Sequence, residues 1–268
     1  MTDAPAPRGA DTADTATTAD AADGGPPAPR GAASSPPARR RPLMLGTGLA
    51  LLAIAAAFAA IIARDPAHPP VLGLDHAWLA HIQQSRTAAL TGVAKVLSVI
   101  GGPIGGTIIV AILVVWFLVQ RRFWTAAFLA ATEASGSGAS QLIKHLVLRH
   151  RPPHPLVTAD IGSFPSGHVI TTLAVGLALT AVLTKPGHRA RALAAVAAAT
   201  IVMMWCRTYL GTHWLTDTFE SLAVAGGIAL VLWWAFTPVL AREAARPGTP
   251  ASPENPAPEN PAPENPEP

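Results

Sequence analysis

The sequence predicts an all-α protein, a six-transmembrane helical bundle, and two observations carry this prediction. Six apolar runs reach or approach the roughly 20 residues that a helix needs to span a bilayer. Few charged residues interrupt these runs, which excludes an ordinary soluble core. The runs cover residues 43–63, 103–120, 123–148, 167–184, 190–209 and 214–236. The bilayer is therefore the solvent that this fold has to match.

Two polar tails flank the apolar region. Residues 1–42 are rich in Ala, Pro, Asp and Thr, and residues 241–268 end in the Pro-rich repeat PENPAPENPAPENPEP. Such segments cannot bury enough apolar surface to offset the entropy that ordering would cost. We therefore predict two disordered tails around one membrane domain, residues 43–240.

Basic residues beside the apolar runs predict which side of the membrane each loop occupies. Arg39, Arg40 and Arg41 precede the first run, so the positive-inside rule places the N-terminal tail in the cytoplasm. Alternation across six spans brings the C-terminal tail to the same side. A cleaved export signal at this point is the alternative, although the long apolar run favours a retained anchor. The expected location is the plasma membrane, and the net charge of +3 is explained without a nucleic-acid partner.

The loop after the first run contains a further helical pattern. In DHAWLAHIQQSRTAALTGVAKVLSVIGG, residues 75–102, apolar residues recur at helical spacing among polar ones. We predict a short interfacial helix there that covers the outer face of the bundle. Small residues in SGSGAS, residues 135–140, indicate close packing between spanning helices.

A basic cluster at the end of the third run breaks the topological pattern. Lys144, Arg149 and Arg151 lie at its outer end, where few cations are expected. Lys144 and Arg151 are seven residues apart, or two helical turns, so both can point towards one place. Pro152 and Pro153 then end the helix. The cluster indicates either a bound anion or a grip on anionic lipid headgroups.

The next loop contains SFPSGH, residues 163–168, directly before the fourth run. Pro165, Ser166 and Gly167 lead into a helix N-terminus, where free backbone N–H groups favour an anion. His168 at its edge can be protonated near neutral pH. This segment is a candidate phosphate cradle.

The third segment whose side chains could take part in catalysis is CRTYLGTHWLTD, residues 206–217. His213 and Asp217 are four residues apart, so the carboxylate could hold one imidazole nitrogen while the other faces a substrate. Arg207 adds a planar set of donors suited to phosphoryl oxygens. Cys206 is the single cysteine, which excludes an intramolecular disulfide and a thiolate metal cluster.

The three segments together resemble the signature of a known family. Residues 144–152 fit KxxxxxxRP, residues 165–168 are PSGH, and residues 207–217 fit the core of SRxxxxxHxxxD. This pattern resembles the type 2 phosphatidic acid phosphatase family, whose site is similar to that of the vanadium haloperoxidases. The resemblance covers roughly residues 70–236. It implies a helical bundle that spans the membrane six times in the lipid phosphatase branch.

The resemblance also implies roles for individual residues. The protein would be a metal-independent lipid phosphatase that acts at the outer face through a phosphohistidine. His213 would be the nucleophile, Asp217 its orienting acid, and His168 the acid that protonates the leaving oxygen. The phosphate-binding residues would be Lys144, Arg151, Ser166, Gly167 and Arg207. No cofactor is implied, and vanadate is expected only as an inhibitor that mimics phosphate.

Several alternatives stay open at this stage. The substrate could be an undecaprenyl-type pyrophosphate, phosphatidic acid, phosphatidylglycerol phosphate or a prenyl sugar phosphate. The other functions considered are a vanadate-dependent haloperoxidase, which six spans disfavour, and a catalytically silent lipid-binding membrane protein. The sequence does not predict an oligomeric state.

Three residues stand apart from the pattern. Cys206 replaces the serine that the family has before its arginine, and we expect one weaker contact in the phosphate pocket. Glu220 follows the aspartate where relatives carry small or apolar residues. Glu133 lies inside the third run, where an unpaired charge is costly, so we expect it to be protonated, paired or turned towards the bundle interior.

Overall fold

A computed structural model describes residues 40–246, and the predicted tails therefore lie largely outside the described residues. Within residues 40–246 the chain forms eight α-helices, one 3₁₀ turn at Pro186–His188 and no β-strand, which confirms an all-α fold. The helices are α1 (Arg40–Arg64), α2 (Leu72–Gln84), α3 (Ala88–Ile100), α4 (Pro103–Val119), α5 (Phe123–Val147), α6 (Gly167–Leu183), α7 (Arg189–Tyr209) and α8 (Leu215–Ala244).

The six apolar runs each form a helix, namely α1, α4, α5, α6, α7 and α8. Three helical stretches of the described chain are long and apolar enough to cross a bilayer by themselves: α1, α8 and Pro186–Tyr209, which contains α7. Helices α3 and α4 would make a fourth span, bent by 45°. Helix α6 is apolar but has only 17 residues, and α5 buries several polar side chains. The structure therefore supports three spans, or four with the bent pair, and the predicted number of six stays a prediction.

The loop after α1 holds two helices where the sequence predicted one. Helix α2 ends at Gln84, and the backbone N–H of Ser85 donates to the carbonyl of Ile82. Thr87 then begins α3 as its N-cap, because its Oγ1 accepts a hydrogen bond from the backbone N–H of Leu90. A threonine N-cap favours a new helix start, and this interrupts the apolar pattern.

Helix α8 runs through the middle of the bundle, where it packs against α1, α5 and α6. The predicted close packing in SGSGAS is present at Gly136, where an added Cβ would lie 3.0 Å from a methyl group of Ile170 on α6. Helix α5 ends with Leu148 in a left-handed conformation, and its N–H donates to the carbonyl of Lys144. The close contact at Gly136 places the middle of α5 against the start of α6.

Candidate active site

His213 lies in the short turn between α7 and α8, and its ring is fixed by one hydrogen bond. The residue is only 2% exposed, and Nδ1 lies 2.5 Å from the backbone carbonyl oxygen of Ser163. A carbonyl oxygen can only accept a hydrogen bond, so Nδ1 carries the hydrogen and Nε2 keeps its lone pair. The ring therefore presents a nucleophilic nitrogen on the side away from Ser163.

Asp217 contributes to this arrangement less directly than the sequence suggested. Its Oδ2 is 3.8 Å from Nδ1 of His213, which is beyond hydrogen-bond distance. That oxygen accepts the backbone N–H of Trp214 at 2.8 Å, while Oδ1 lies 2.5 Å from the guanidinium of Arg149. The carbonyl of Ser163 holds the imidazole in this structure, and Asp217 caps α8 with its charge close to the ring. A role for Asp217 in orienting His213 stays a prediction.

The three cations that the sequence assigned to phosphate binding converge on His213. Burial lowers the pKa of this imidazole well below its usual value, and the charges of Arg207, Arg151 and Lys144 lower it further. The Ser163 carbonyl acts in the opposite direction but does not outweigh them. His213 is therefore neutral at neutral pH, in the form that a nucleophile requires.

The candidate cradle lies where α6 begins. Helix α6 starts at Gly167, and Ser166 is its N-cap, with its backbone N–H donating to the hydroxyl of Ser221 at 2.9 Å. His168 follows, and its Nε2 lies 3.2 Å from the carbonyl oxygen of Ser98 on α3. The hydroxyl of Ser98 also receives a hydrogen bond from Arg207. Ser98 thus joins two candidate site residues, and no sequence pattern marked it.

Three buried polar atoms in this region have no hydrogen-bond partner. They are Oγ of Ser140, Oγ of Ser166 and Nε of Arg207, and each is unpaired in the part of the chain that the structure describes. A buried polar group left without a partner costs about 1–3 kcal/mol, so a ligand that bonds to these three atoms would remove that cost. Hydroxyl and guanidinium hydrogens are donors that suit the oxygens of an anion.

Ser140 is a site residue that the sequence analysis treated only as a small packing residue. It lies one helical turn before Lys144 on α5, and both side chains are buried. Its Oγ is 3.1 Å from the position that a Cβ would take at Gly167. A side chain larger than hydrogen at Gly167 would therefore press on this hydroxyl.

A buried ion cluster next to His213 connects α2, α8 and the loop after α5. The guanidinium of Arg149 lies 2.6 Å from Asp75 on α2 and 2.5 Å from Asp217 on α8, and all three side chains are at most 1% exposed. Asp75 also accepts the backbone N–H of Thr216 at 2.9 Å. The segment that was expected only to cover the bundle therefore contributes a buried acid to the base of the site.

Cys206 and Glu220, which depart from the family pattern, and Glu133, which lies inside the third apolar run, are all buried. The thiol of Cys206 is buried and lies 3.1 Å from the carbonyl oxygen of Ala94, to which it donates. Glu133 faces the bundle interior, where one oxygen accepts from Ser137 at 3.0 Å. Glu220 is 4% exposed, and one of its oxygens has no partner in the described chain.

The fold and this site define a helical membrane protein with a polar centre of histidines and cations at the ends of its helices. Residues 123–240, which run from α5 into α8, match the model of the PAP2 superfamily. Over these residues, which are somewhat less than half of the chain, it resembles that superfamily. The sequence resemblance to type 2 phosphatidic acid phosphatases is thereby confirmed.

Two comparisons locate the chain within a wider set of proteins. It is 29% identical over 118 residues to a decaprenylphosphoryl-5-phosphoribose phosphatase found in two strains of Mycobacterium tuberculosis. The aligned part is 42% of this chain and 61% of the relative, so the chain spans less than two thirds of that protein's length. It also resembles the crystal structure of a transmembrane PAP2-type phosphatidylglycerolphosphate phosphatase from Bacillus subtilis. The TM-score is 0.62 at 20% identity, over 69% of this chain and 94% of that chain, so this likeness concerns the fold.

Proposed function

We propose that the protein is a metal-independent lipid phosphatase that works through a phosphohistidine on His213. The observation that carries this proposal is the state of that ring: it is buried and neutral, its Nδ1 is held by Ser163, and three cations act on it. A neutral imidazole with a free Nε2 is a nucleophile for phosphorus. The unpaired donors of Ser140, Ser166 and Arg207 supply what the oxygens of the phosphoryl group would need.

The reaction would proceed in two steps. Nε2 of His213 attacks phosphorus, an N–P bond forms, and the P–O bond to the lipid breaks. His168 gives a proton to the leaving oxygen. In the second step a water attacks the phosphohistidine and returns a proton to His168, and orthophosphate leaves. Lys144, Arg151 and Arg207 would stabilise the charge on the phosphoryl oxygens in both steps.

The proposal includes a membrane topology. Six spans, with both termini in the cytoplasm and the site at the outer face, are supported by two features. Each of the six apolar runs forms a helix, and the cations of the site break the positive-inside pattern, which a bound anion would explain. The lipid tail of the substrate would stay in the bilayer while its phosphate reaches the site.

A polyprenyl-linked sugar phosphate is the first substrate to test. The support is the Mycobacterium tuberculosis relative, which is named for a decaprenyl-linked phosphoribose. Phosphatidylglycerol phosphate, phosphatidic acid and undecaprenyl pyrophosphate complete the panel. Purified protein in detergent, with a chelator present, is expected to release phosphate from at least one of these lipids.

The decisive variant is His213→Ala, which should abolish phosphate release. His145→Ala is the matched control, because His145 is exposed on α5 and, within residues 40–246, its ring bonds only to the carbonyl of Gln141. Equal turnover by parent and His213→Ala would defeat the proposal. Bromide oxidation with peroxide and vanadate, without phosphate release, would favour the haloperoxidase alternative.

A further inference from the structure

Asp160, in the loop between α5 and α6, forms ion pairs with two of the cations that the sequence assigned to phosphate binding. Nζ of Lys144 lies 3.0 and 2.9 Å from its two carboxylate oxygens, and a terminal nitrogen of Arg151 lies 2.6 Å from one of them. The Asp160 side chain is 53% exposed, whereas that of Lys144 is only 6% exposed. A carboxylate on the outside of the site is thus bound to a cation inside it.

These contacts hold a short stretch of the loop. The backbone N–H of Leu156 donates to Leu210 at 2.8 Å, and that of Ser163 donates to Arg149 at 2.9 Å. Between these two points, residues 157–162 make no hydrogen bond between backbone groups anywhere in the described chain. Val157 packs against a buried hydrophobic cluster, and the hydrogen bonds of the stretch come from Asp160, whose carbonyl oxygen also accepts from Nε of Arg151 at 2.9 Å. Release of Asp160 would therefore free the residues around it while Leu156, Val157 and Ser163 stay anchored.

Asp160 is ionised at neutral pH. Burial opposes ionisation, but the hydrogen bonds from Lys144 and the charges of Lys144 and Arg151 outweigh it and lower the pKa of this carboxyl. An open cavity of about 370 Å³, lined by Arg151 and residues 155–159, lies beside the ion pair. An anion can therefore approach Arg151 from the side of this loop.

The carboxylate leaves part of the site unfilled. Its two oxygens pair with Lys144 and Arg151, whereas Ser140, Ser166 and Arg207 each keep an unpaired buried atom. A tetrahedral phosphoryl group has more oxygens than a carboxylate and could bond to both sets. Phosphate can consequently displace Asp160 because it satisfies donors that Asp160 does not reach.

We propose that Asp160 is an internal competitor for phosphate, which pairs with Lys144 and Arg151 while the site is empty and returns to them as orthophosphate leaves. This inference rests on the proposed function. Exchanging one anion for another keeps the buried ammonium of Lys144 paired at every stage, and an unpaired charge there would be costly. The exchange also weakens the binding of the product, which favours turnover.

The test measures anion affinity directly. Inorganic phosphate and orthovanadate are titrated into purified parent and Asp160→Asn protein in detergent by calorimetry. Loss of a half-exposed competing charge should tighten binding of both anions by about threefold to tenfold. Product inhibition by phosphate should tighten by a similar factor. Asp65→Asn is the control, because it removes the same charge from an exposed acid whose partner is the exposed His68.

Unchanged or weaker binding in Asp160→Asn would overturn the inference, since Asp160 would then serve to hold the cations in place. Asp160→Ala is measured as a second variant and must shift affinity in the same direction. Both variants are checked for a single peak in size-exclusion chromatography. If phosphate is released normally but affinities are equal, only the role of Asp160 fails. If parent and variants neither bind phosphate nor release it, the proposed function fails as well.

Discussion

The hydrogen position on His213 decides what this residue can do. Its Nδ1 faces a carbonyl oxygen that cannot donate, so the ring is held in one tautomer with Nε2 unprotonated. The sequence identified His213 and the nearby acid from their spacing. It could not identify Ser163, because a backbone carbonyl 50 residues away has no side-chain signature.

The state of this ring gives the first prediction. Because burial and three cations lower the pKa of His213 well below its usual value, the imidazole should be neutral at neutral pH and protonate only as the pH falls well below ~6.5. Nitrogen NMR of ¹⁵N-histidine-labelled protein, with the signal assigned by its loss in His213→Gln, measures this. A signal that changes to imidazolium near neutral pH would contradict the assignment.

The unpaired hydroxyl of Ser140 gives the second prediction. Ser140→Ala should lower kcat/KM by about tenfold, because one hydrogen bond to a charged ligand is lost. Its thermal stability should be unchanged or higher, since the variant removes a buried polar atom that has no partner. Ser137→Ala is the control: that hydroxyl bonds to Glu133, so its removal should lower stability without affecting kcat/KM. A stability loss in Ser140→Ala with normal activity would show that Ser140 is only structural.

At the scale of helices, the apolar runs predicted positions well because burial in lipid demands long uninterrupted segments. The apolar runs agree with the starts and ends of α4, α5, α6 and α7 to within a residue. The helical extension to Pro152 was wrong, because Leu148 turns left-handed after Val147 and leaves Arg149 and Arg151 in the loop. The contacts between helices were much harder to foresee. Arg149 bonds to acids 74 and 68 residues away along the chain, and local sequence patterns carry no information about such pairs.

The buried ion cluster gives the third prediction. Asp75→Asn leaves Arg149 paired with Asp217 alone, so the protein should lose on the order of 3 kcal/mol of stability. Thermal unfolding in detergent measures the loss. Asp65→Asn again serves as the control, because an exposed pair contributes little. Equal melting temperatures for the two variants would mean that α2 is not held through Asp75.

At the scale of the whole molecule, composition predicted a membrane protein. The number of spans depends on helices that are short or that carry buried polar side chains. Helix α6 is short, and α5 buries polar residues that form the site. The features that make these helices functional thus weaken them as apolar segments. Within residues 40–246, length and hydropathy therefore identify three spans, or four with the bent pair, and six stays a prediction.

Cysteine labelling tests the proposed topology, which is the fourth prediction. In a Cys206→Ser background, Asp65→Cys lies in the loop after α1, and Gly187→Cys lies in the turn before α7, where an added Cβ has nothing within 4 Å. A membrane-impermeant maleimide should label position 65 in intact cells and position 187 only after permeabilisation. Labelling of both positions from outside would contradict the six-span topology.

The most direct test of the central claim is detection of the phosphoenzyme. Turnover with a polyprenyl-linked phosphate is quenched rapidly under alkaline conditions, which preserve phosphohistidine, and the peptides are mapped by mass spectrometry. The account predicts phosphate on the imidazole of His213 in the parent protein and no modified peptide in His213→Ala. Phosphate release without modification of His213, or modification of a different residue during turnover, would contradict it.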